Sequence, residues 1–179
     1  MTYTIVGLGS SAQNWKPNGH SIGVNDAWKF GQPTDSLLIC NRPQQFPADR
    51  LKTIIESKPK HFYSHKPDWS QHFPNWKQLR LIHWSGILYD FGKNDDFPCF
   101  SSDSSPIITI TLAYYLGAKD IILWGVDMLN HHVFNPGNPS AKKEVDVYLE
   151  VFAALKEKGV NVWLGANGSV FDDKLKVYV

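Results

Sequence analysis

The sequence contains little cysteine and no grouping of cysteine and histidine typical of a metal site. Its two cysteines, Cys40 and Cys99, lie far apart in the chain and outside any Cys-x-x-Cys motif. A disulfide framework and a zinc site are therefore not expected, and reduced thiols favour a cytoplasmic location. The chain also lacks internal repeats, low-complexity linkers and runs of like charge. Residues 1–179 are accordingly predicted to form one domain.

A strong charge of either sign and a long apolar segment are missing as well. The 18 lysine and arginine residues nearly balance 17 aspartate and glutamate residues, for a formal net charge of +1, so general affinity for nucleic acid is not expected. No segment has the length and apolarity of a membrane span, and no basic, apolar leader opens the sequence. These features predict a globular protein with a small-molecule ligand, and they are compatible with a homo-oligomer.

What the sequence does contain is a series of short apolar runs separated by helix-length segments. The runs cover residues 3–7, 21–24, 36–40, 61–64, 79–83, 121–125 and 161–164. Several of them show no alternation, which is typical of strands covered on both faces in a parallel sheet. The clearest helical segments, residues 106–116 and 140–158, are each followed by a glycine suited to a helix end. The pattern predicts an α/β fold with a doubly wound, mainly parallel, Rossmann-like sheet.

Small polar residues follow four of the predicted strands. The first strand runs into Gly7-Leu8-Gly9-Ser10-Ser11, and the others end in Asn25-Asp26, Asn41-Arg42 and Asp127. Because the carboxyl ends of adjacent strands meet at the ligand crevice of an open parallel sheet, we expect one common site. A Gly-x-Gly turn lets a phosphate approach the backbone, and a carboxylate such as Asp127 suits ribose hydroxyls. The alternative is that each residue only completes a local turn or cap.

Two further groups of residues carry candidate chemistry. Four serines precede the first clear helix in Ser101-Ser102-Asp103-Ser104-Ser105-Pro106. Capping needs one hydroxyl, so the others indicate a cradle for a phosphate or carboxylate at the positive end of the helix. His131 and His132 follow the strand that ends at Asp127. Adjacent histidines on a strand point to opposite faces, so no metal site is predicted. One histidine could serve as a general base or as a phosphate contact. The alternative is that both are surface residues without a role.

Taken in order, these motifs resemble two related groups of enzymes. The segments Ile-Val-Gly-Leu-Gly-Ser-Ser, Gly-Val-Asn-Asp, Leu-Ile-Cys-Asn-Arg-Pro and Leu-Gly-Ala-Lys-Asp-Ile-Ile-Leu-Trp-Gly-Val-Asp resemble the bacterial lipooligosaccharide sialyltransferases and the archaeal-type 6-hydroxymethylpterin diphosphokinases. The match spans residues 3–46 and 101–169. The resemblance implies nucleotide contacts at Gly7, Gly9, Ser11, Asn25, Asn41, Ser104 or Ser105, and Asp127, with His132 or His131 as the general base. Arg42 or Lys142 is expected to counter the phosphate charge.

Two positions depart from the sialyltransferase pattern. Leu8 stands where that family has an asparagine, and Leu129 where it has a tyrosine that meets the leaving phosphate. The chain is also shorter than those enzymes, without room for their lid and basic tail. These departures matter more for sialyl transfer than for nucleotide binding.

Three hypotheses of function follow. The first is a nucleotide- or nucleotide-sugar-dependent transferase of glycosyltransferase type that needs no metal or other cofactor. The second is an ATP-dependent pyrophosphokinase of the hydroxymethylpterin type, with Mg²⁺ held by Asp26, Asp103 and Asp127. The third is a non-catalytic module that sequesters a nucleotide or contacts a protein through exposed tryptophans. The tryptophans expected on that surface are Trp15, Trp28, Trp69 and Trp76.

Overall fold

A computed structural model describes residues 1–30, 34–88, 97–102, 104–128 and 139–179, with only the backbone described for Trp28, Phe30 and residues 139–142. Within these ranges the strands are β1 (Thr2–Val6), β2 (His20–Val24), β3 (Ser36–Leu38), β4 (His61–Ser64), β5 (Trp76–Ile82), β6 (Phe97–Phe100), β7 (Asp120–Trp124) and β8 (Asn161–Leu164). The α-helices are α1 (Ala48–Glu56), α2 (Ser105–Tyr115) and α3 (Pro139–Glu157). Short 3₁₀ turns include Ser10–Asn14 and Pro67–Gln71.

The strands form one sheet in the order β6-β5-β4-β3-β2-β1-β7-β8, and each pairing in the described ranges is parallel. From β1 the chain proceeds outward to β6 and then returns to the other side of β1 with β7. Tyr3 consequently lies between His20 of β2 and Ile121 of β7. The predicted α/β, Rossmann-like, single-domain fold is confirmed. Its topological switch point, where ligands of such sheets bind, lies between β1 and β7.

Helix α2 packs beside this switch point and is more deeply buried than α1. Seven consecutive residues, from Ile107 to Ala113, are buried, and the helix packs against β1, β2 and β6. Its two threonines remain satisfied because Thr109 donates to the Ser105 carbonyl at 2.9 Å and Thr111 to the Ile108 carbonyl at 3.0 Å. A central, rigid α2 fixes the position of its own first residues beside the strand ends. No helix in the described ranges, α2 included, meets the length and apolarity needed to cross a membrane.

Two of the four tryptophans expected on a partner surface lie in the core instead. Trp15 is 3% exposed and packs with Val6, Ala12 and Ala27, because the turn Ser10–Asn14 folds back onto the sheet. Trp69 is fully buried, with its ring centroid 4.9 Å from that of Phe62. For Trp15 and Trp69 the expectation of a surface role was therefore wrong. Trp76 is partly buried, and the side chain of Trp28 is outside the description.

The outer edge of β8 is covered over part of its length by the C-terminal segment. The Leu164 amide donates to the Lys176 carbonyl at 2.9 Å, and the Tyr178 amide donates to the Leu164 carbonyl at 2.8 Å. The bridge between Leu164 and Val177 is parallel, like the rest of the sheet. The last residues of the chain thus protect an otherwise open strand edge.

Candidate functional site

The glycine-rich turn after β1 is bound to the end of β7 through Asp127. The carboxylate accepts hydrogen bonds from the Ser11 amide at 2.8 Å, the Ser11 hydroxyl at 2.5 Å and the Ser10 hydroxyl at 3.2 Å. The Ser11 hydroxyl in turn accepts from the Gly125 amide at 2.7 Å. Asp127 is only 3% exposed. It therefore fixes the turn at the switch point, and a direct contact of its carboxylate with a ribose stays a prediction.

The glycines of this turn are required by the contact between β1 and β7. A Cβ on Gly7 would overlap the Gly125 carbonyl oxygen, and a Cβ on Gly9 would lie 2.5 Å from Oδ2 of Asp127. Gly125 itself has a φ of +66°, which favours glycine. The absent side chains thus make room for the neighbouring strand end. The Ser10 and Ser11 end of the turn remains beside the crevice, where the sequence predicts a phosphate.

The ends of β2 and β3 lie side by side and present Asn25 and Asn41. Asn25 has a φ of +53°, and its amide donates to the Leu38 carbonyl at 3.0 Å. Its side-chain Oδ1 is buried and makes no hydrogen bond to the described residues. Asn41 is exposed, and its carbonyl accepts a hydrogen bond from Nε1 of Trp69 at 2.8 Å. A ligand over these two strand ends would meet the exposed side chain of Asn41, whereas Oδ1 of Asn25 lies buried beside it.

Asp26, the next residue along from Asn25, is committed to ion pairs. Nε of Arg50 donates to Oδ1 at 2.9 Å, Nη2 of Arg50 lies 2.7 Å from Oδ2, and Nζ of Lys29 lies 3.0 Å from Oδ2. With Asp127 occupied by Ser10 and Ser11, neither carboxylate is free to hold Mg²⁺. Asp103 lies outside the described residues. The described part of the predicted Mg²⁺ site therefore does not fit the ion, and no His, Cys, Asp or Glu residues in the described ranges group into a metal site.

The two serines predicted to face the nucleotide at the start of α2 differ in environment. Ser104 is 4% exposed, and its hydroxyl lies 2.5 Å from the hydroxyl of Tyr148 on α3. Burial is the main reason that the pKa of Tyr148 is raised, although the bond with Ser104 opposes it. Ser105 is only half-buried, and it acts to lower the pKa of the Cys40 thiol, which burial, the larger effect, raises. The geometry therefore favours Ser105 over Ser104 as the residue that meets a ligand.

Of the remaining predicted residues, only Arg42 has a described side chain. Arg42 is exposed and lies 3.8 Å from Oδ2 of Asp68, so its charge already has a partner. Lys142 belongs to α3, but its side chain is outside the description. His131 and His132 lie outside the described residues.

A lysine that the sequence analysis did not single out lies at the same edge of the sheet. Lys66 comes two residues after the end of β4, and its amide donates to the Ser64 hydroxyl at 3.1 Å. Its side chain is close enough to Cys40 for the positive charge to lower the pKa of that thiol, which burial, the larger effect, raises. The adjacent His65 has a pKa below its usual value, chiefly through burial and secondarily through Lys66. No sequence motif marks Lys66, which is half-buried in the structure and has no ion pair with the described residues.

Comparison of the chain with protein-family models and with curated proteins finds no match. Solved structures do match. The sialyltransferase CstII in complex with a trisaccharide acceptor and CMP gives a TM-score of 0.61 at 11% identity, over 99% of this chain and 86% of that chain. CstII from Campylobacter jejuni with the substrate analogue CMP-3FNeuAc gives 0.58 at 10% identity, over 98% and 85%. An α-2,3-sialyltransferase from Campylobacter jejuni in apo form gives 0.57 at 15% identity, over 99% and 80%.

This likeness extends over nearly the whole chain and shows a shared fold. The predicted resemblance to sialyltransferases is thereby confirmed at the level of the fold, whereas the resemblance to the pterin diphosphokinases stays a prediction. Because identity is as low as 10–15%, the likeness carries no residue roles by itself.

Proposed function

We propose that the chain is a transferase of glycosyltransferase type that binds a nucleotide or nucleotide-sugar donor at the carboxyl end of its sheet. The observation that carries the proposal is the gathering of the Ser10–Ser11 turn, the ends of β2 and β3 and the start of α2 around the switch point. Proteins of the same fold have been solved with CMP and with a trisaccharide acceptor. Both the location and the polar groups suit a nucleotide.

The described residues at the carboxyl end of the sheet take the following roles in this proposal. The start of α2 at Ser105 and the exposed Ser10 of the glycine-rich turn face the donor phosphate, and the helix start presents amides to it. Within the turn the Gly9 amide already donates to the Gly125 carbonyl at 2.8 Å, and the Ser11 amide donates to Asp127. Asn25 and Asn41 hold the hydroxyls or the base of the donor. Asp127 acts through Ser11, which it keeps in place. Gly7 and Gly9 allow the strand ends to come together.

The proposed reaction is a displacement at the donor sugar. The acceptor hydroxyl oxygen attacks the anomeric carbon, the bond from that carbon to the phosphate oxygen breaks, and the nucleotide leaves with the electron pair. His132 or His131 accepts the acceptor proton, so it acts as the neutral imidazole. Lys142 would balance the charge on the leaving phosphate, since Arg42 already has a partner in Asp68. The chemistry requires no other cofactor.

The decisive experiment is a thermal-shift screen of cytidine, uridine, guanosine and adenosine mono- and diphosphates and their sugar conjugates. At least one ligand is expected to raise the melting midpoint at millimolar concentration, because a ligand that binds only the folded state stabilises it by mass action. CMP and CMP-sugars come first, since CMP is present in the similar solved structures. A folded protein whose midpoint moves with none of them would overturn the proposal.

A positive ligand then separates the transferase from its rivals. Release of free nucleotide that depends on an added acceptor, and that is lost in His131→Ala combined with His132→Ala, supports transfer. Tight binding of a ligand that remains unchanged in both the native chain and this double variant indicates a sequestering module. Binding of ATP that requires Mg²⁺ and disappears with EDTA indicates the pyrophosphokinase.

A further inference from the structure

A cavity lies at the opposite end of the sheet from the candidate site, between α3, the start of β8 and the C-terminal segment. Its volume is about 320 Å³, and its lining includes Val160 and Asn161, the residues just before and at the start of β8. Because β8 runs parallel to its neighbour, its amino end lies away from the carboxyl ends that form the crevice. Ligand pockets span about 300–1,000 Å³, so this volume suits a small ligand.

The wall that α3 contributes to this cavity is apolar. Leu149, Phe152 and Ala153 recur at spacings of three and four residues, so they share one face of the helix. Phe152 is 7% exposed and belongs to the core, whereas Ala153 is exposed and its small side chain leaves the space beside it open. Val162 and Leu175 line the cavity from β8 and from the C-terminal segment. An apolar ligand body placed here would be removed from water.

The charged residues that line the cavity are three exposed lysines, Lys156, Lys174 and Lys176, and no acidic residue of the described ranges lines it. Nζ of Lys174 lies 2.9 Å from Asp173. Lys156 and Lys176 make no ion pair with the described residues. A lysine covers apolar surface with its methylene groups while its ammonium stays in water. The cavity therefore combines an apolar interior with positive charge alone, which complements an anion with an apolar body.

The strand edge beside the cavity is too short to add a peptide strand. The Asn161 amide donates to the residue before β7 at 2.9 Å, and strand amides alternate, so the amides of Val162 and Leu164 point outward. Leu164 uses its outward amide and carbonyl to hold the C-terminal segment, and the Val160 amide donates to the last turn of α3 at 3.0 Å. Among the described residues only Val162 keeps an unpaired outward position on β8. A single residue favours a small molecule over an extended peptide.

We propose that this cavity binds a small carboxylate with an apolar body of about the size of a medium-chain acyl group. The apolar body lies against the α3 wall, and Lys156 and Lys176 counter the charge of the carboxylate. A two-fold dimer through this face is a poorer fit, because it would bring the lysines of both copies together without a lining carboxylate between them. The proposal does not rest on the transferase function, since no residue of the candidate site lines the cavity.

Octanoate is the probe for this site, titrated below its micelle concentration into the full chain and followed by isothermal titration calorimetry. Saturable binding at one site is expected, and added salt should weaken it. Hexanoate, which has two methylene groups fewer, is expected to bind about tenfold more weakly, because each buried methylene contributes to affinity. Octyltrimethylammonium has the same chain and the opposite charge, so it is also expected to bind about tenfold more weakly or less.

Two variants separate the charge from the cavity. Lys156→Gln combined with Lys176→Gln is expected to weaken octanoate binding about fivefold or more and to remove most of its salt dependence. Lys52→Gln combined with Lys158→Gln is the matched control, since it removes the same charge from exposed lysines that do not line the cavity. Ala153→Trp fills the cavity from an exposed position and is expected to abolish binding with the three lysines retained. Ala153→Leu replaces Ala153→Trp should that variant melt at a lower temperature.

The outcomes separate this proposal from the proposed function. The proposal is overturned by a native chain that does not bind octanoate, by unchanged binding to the Ala153 variant, or by equal affinity for octyltrimethylammonium. Equal losses in the two double lysine variants also overturn it. Self-association of the native chain that Ala153→Trp abolishes, without octanoate binding, assigns the face to a second copy instead. Octanoate binding in a chain that takes no nucleotide supports the proposal and removes the proposed donor, whereas nucleotide binding without octanoate binding does the reverse.

Discussion

The guanidinium of Arg50 contacts both carboxylate oxygens of Asp26, through Nε at 2.9 Å and Nη2 at 2.7 Å. Arg50 belongs to α1, and Asp26 follows Asn25 at the end of β2. The guanidinium also lies 4.6 Å from the ring centroid of Phe46. This pair fastens a short helix to the strand end that presents Asn25, and it holds that strand end in one position.

Loss of this pair should therefore reduce stability. Arg50→Ala is expected to lower the free energy of unfolding by about 1–2 kcal/mol, less than for a fully buried pair because Lys29 stays beside Asp26. Lys52→Ala on the same helix is the control, since its contact with Glu56 at 3.8 Å is exposed and should contribute within about 0.5 kcal/mol. Urea unfolding measures both. Equal losses in the two variants would contradict the role given to Arg50.

Asp127→Asn tests whether the carboxylate holds the turn or the ligand. The amide side chain weakens the charged hydrogen bonds from Ser10 and Ser11, so the free energy of unfolding should fall by about 1–2 kcal/mol. Nucleotide affinity, measured where both proteins are folded, should change by less than about twofold. The exposed Asp173→Asn serves as the control. A large loss of affinity at unchanged stability would instead establish a direct contact with the nucleoside.

Ser104 and Ser105 should respond differently to truncation. Ser104→Ala leaves the buried Tyr148 hydroxyl without its partner, and the expected loss is about 1–3 kcal/mol of unfolding free energy. Tyr148→Phe in the same chain should recover part of that loss, because both polar groups are then gone. Ser105→Ala should hardly change stability but should weaken phosphate binding. Equal stability losses for the two serines in urea unfolding would argue against this division.

Asp35 makes the protein sensitive to acid. Burial alone would raise the pKa of its carboxyl, but hydrogen bonds from Lys60 at 2.6 Å and from the Ser21 amide at 3.0 Å and hydroxyl at 2.9 Å hold it well below the usual range. The unfolded chain takes up a proton near pH 4, whereas the folded chain resists it. The stability from Asp35 is thus present above that pH and is lost as pH falls.

Asp35→Asn should consequently lower stability at pH 7 and flatten its decline between pH 5 and pH 3. Glu56→Gln, at an exposed position on α1, should leave the slope as in the native chain. Urea unfolding at a series of pH values measures the slope. A native slope in Asp35→Asn would show that other carboxylates cause the acid sensitivity.

The sequence was sufficient to predict each strand of the described sheet except β6, which lies at one edge. β8 was predicted at its observed bounds, and α2 and α3 within one residue, because long or uninterrupted apolar patterns mark them. β6 was missed since Pro98 lies within it. The Ser101 amide, three residues later, donates to the Ile82 carbonyl of β5. Backbone amides of a strand point alternately to its two sides, so the Pro98 nitrogen points away from β5. That side is the outer edge of the sheet, where a missing amide breaks no pairing. The helix α1 was missed because Ile54 is its only residue classed as buried.

The candidate site divides in a similar way. The glycine-rich turn and Asp127 carried a sequence signal, and the structure places Ser11 and Asp127 in contact. The Gly-x-Gly spacing did not reveal that Gly7 and Gly9 allow close contact between the ends of β1 and β7, because the same spacing also suits the approach of a ligand. Lys66 carried no signal at all. Its position beside the end of β3 follows from the pairing of β4 with β3, which composition and residue spacing do not encode.

The central position of β1 has a consequence for how the chain acquires its structure. Tyr3 pairs with Ile121, so β1 must wait for β7, far later in the chain, before its second edge is covered. Until then that edge exposes unpaired amides and carbonyls beside apolar side chains, an arrangement that invites association between nascent chains. Such long-range parallel pairing is also slow to form, because loop closure precedes the contacts that reward it. Refolding of this chain should accordingly be slow and concentration-sensitive.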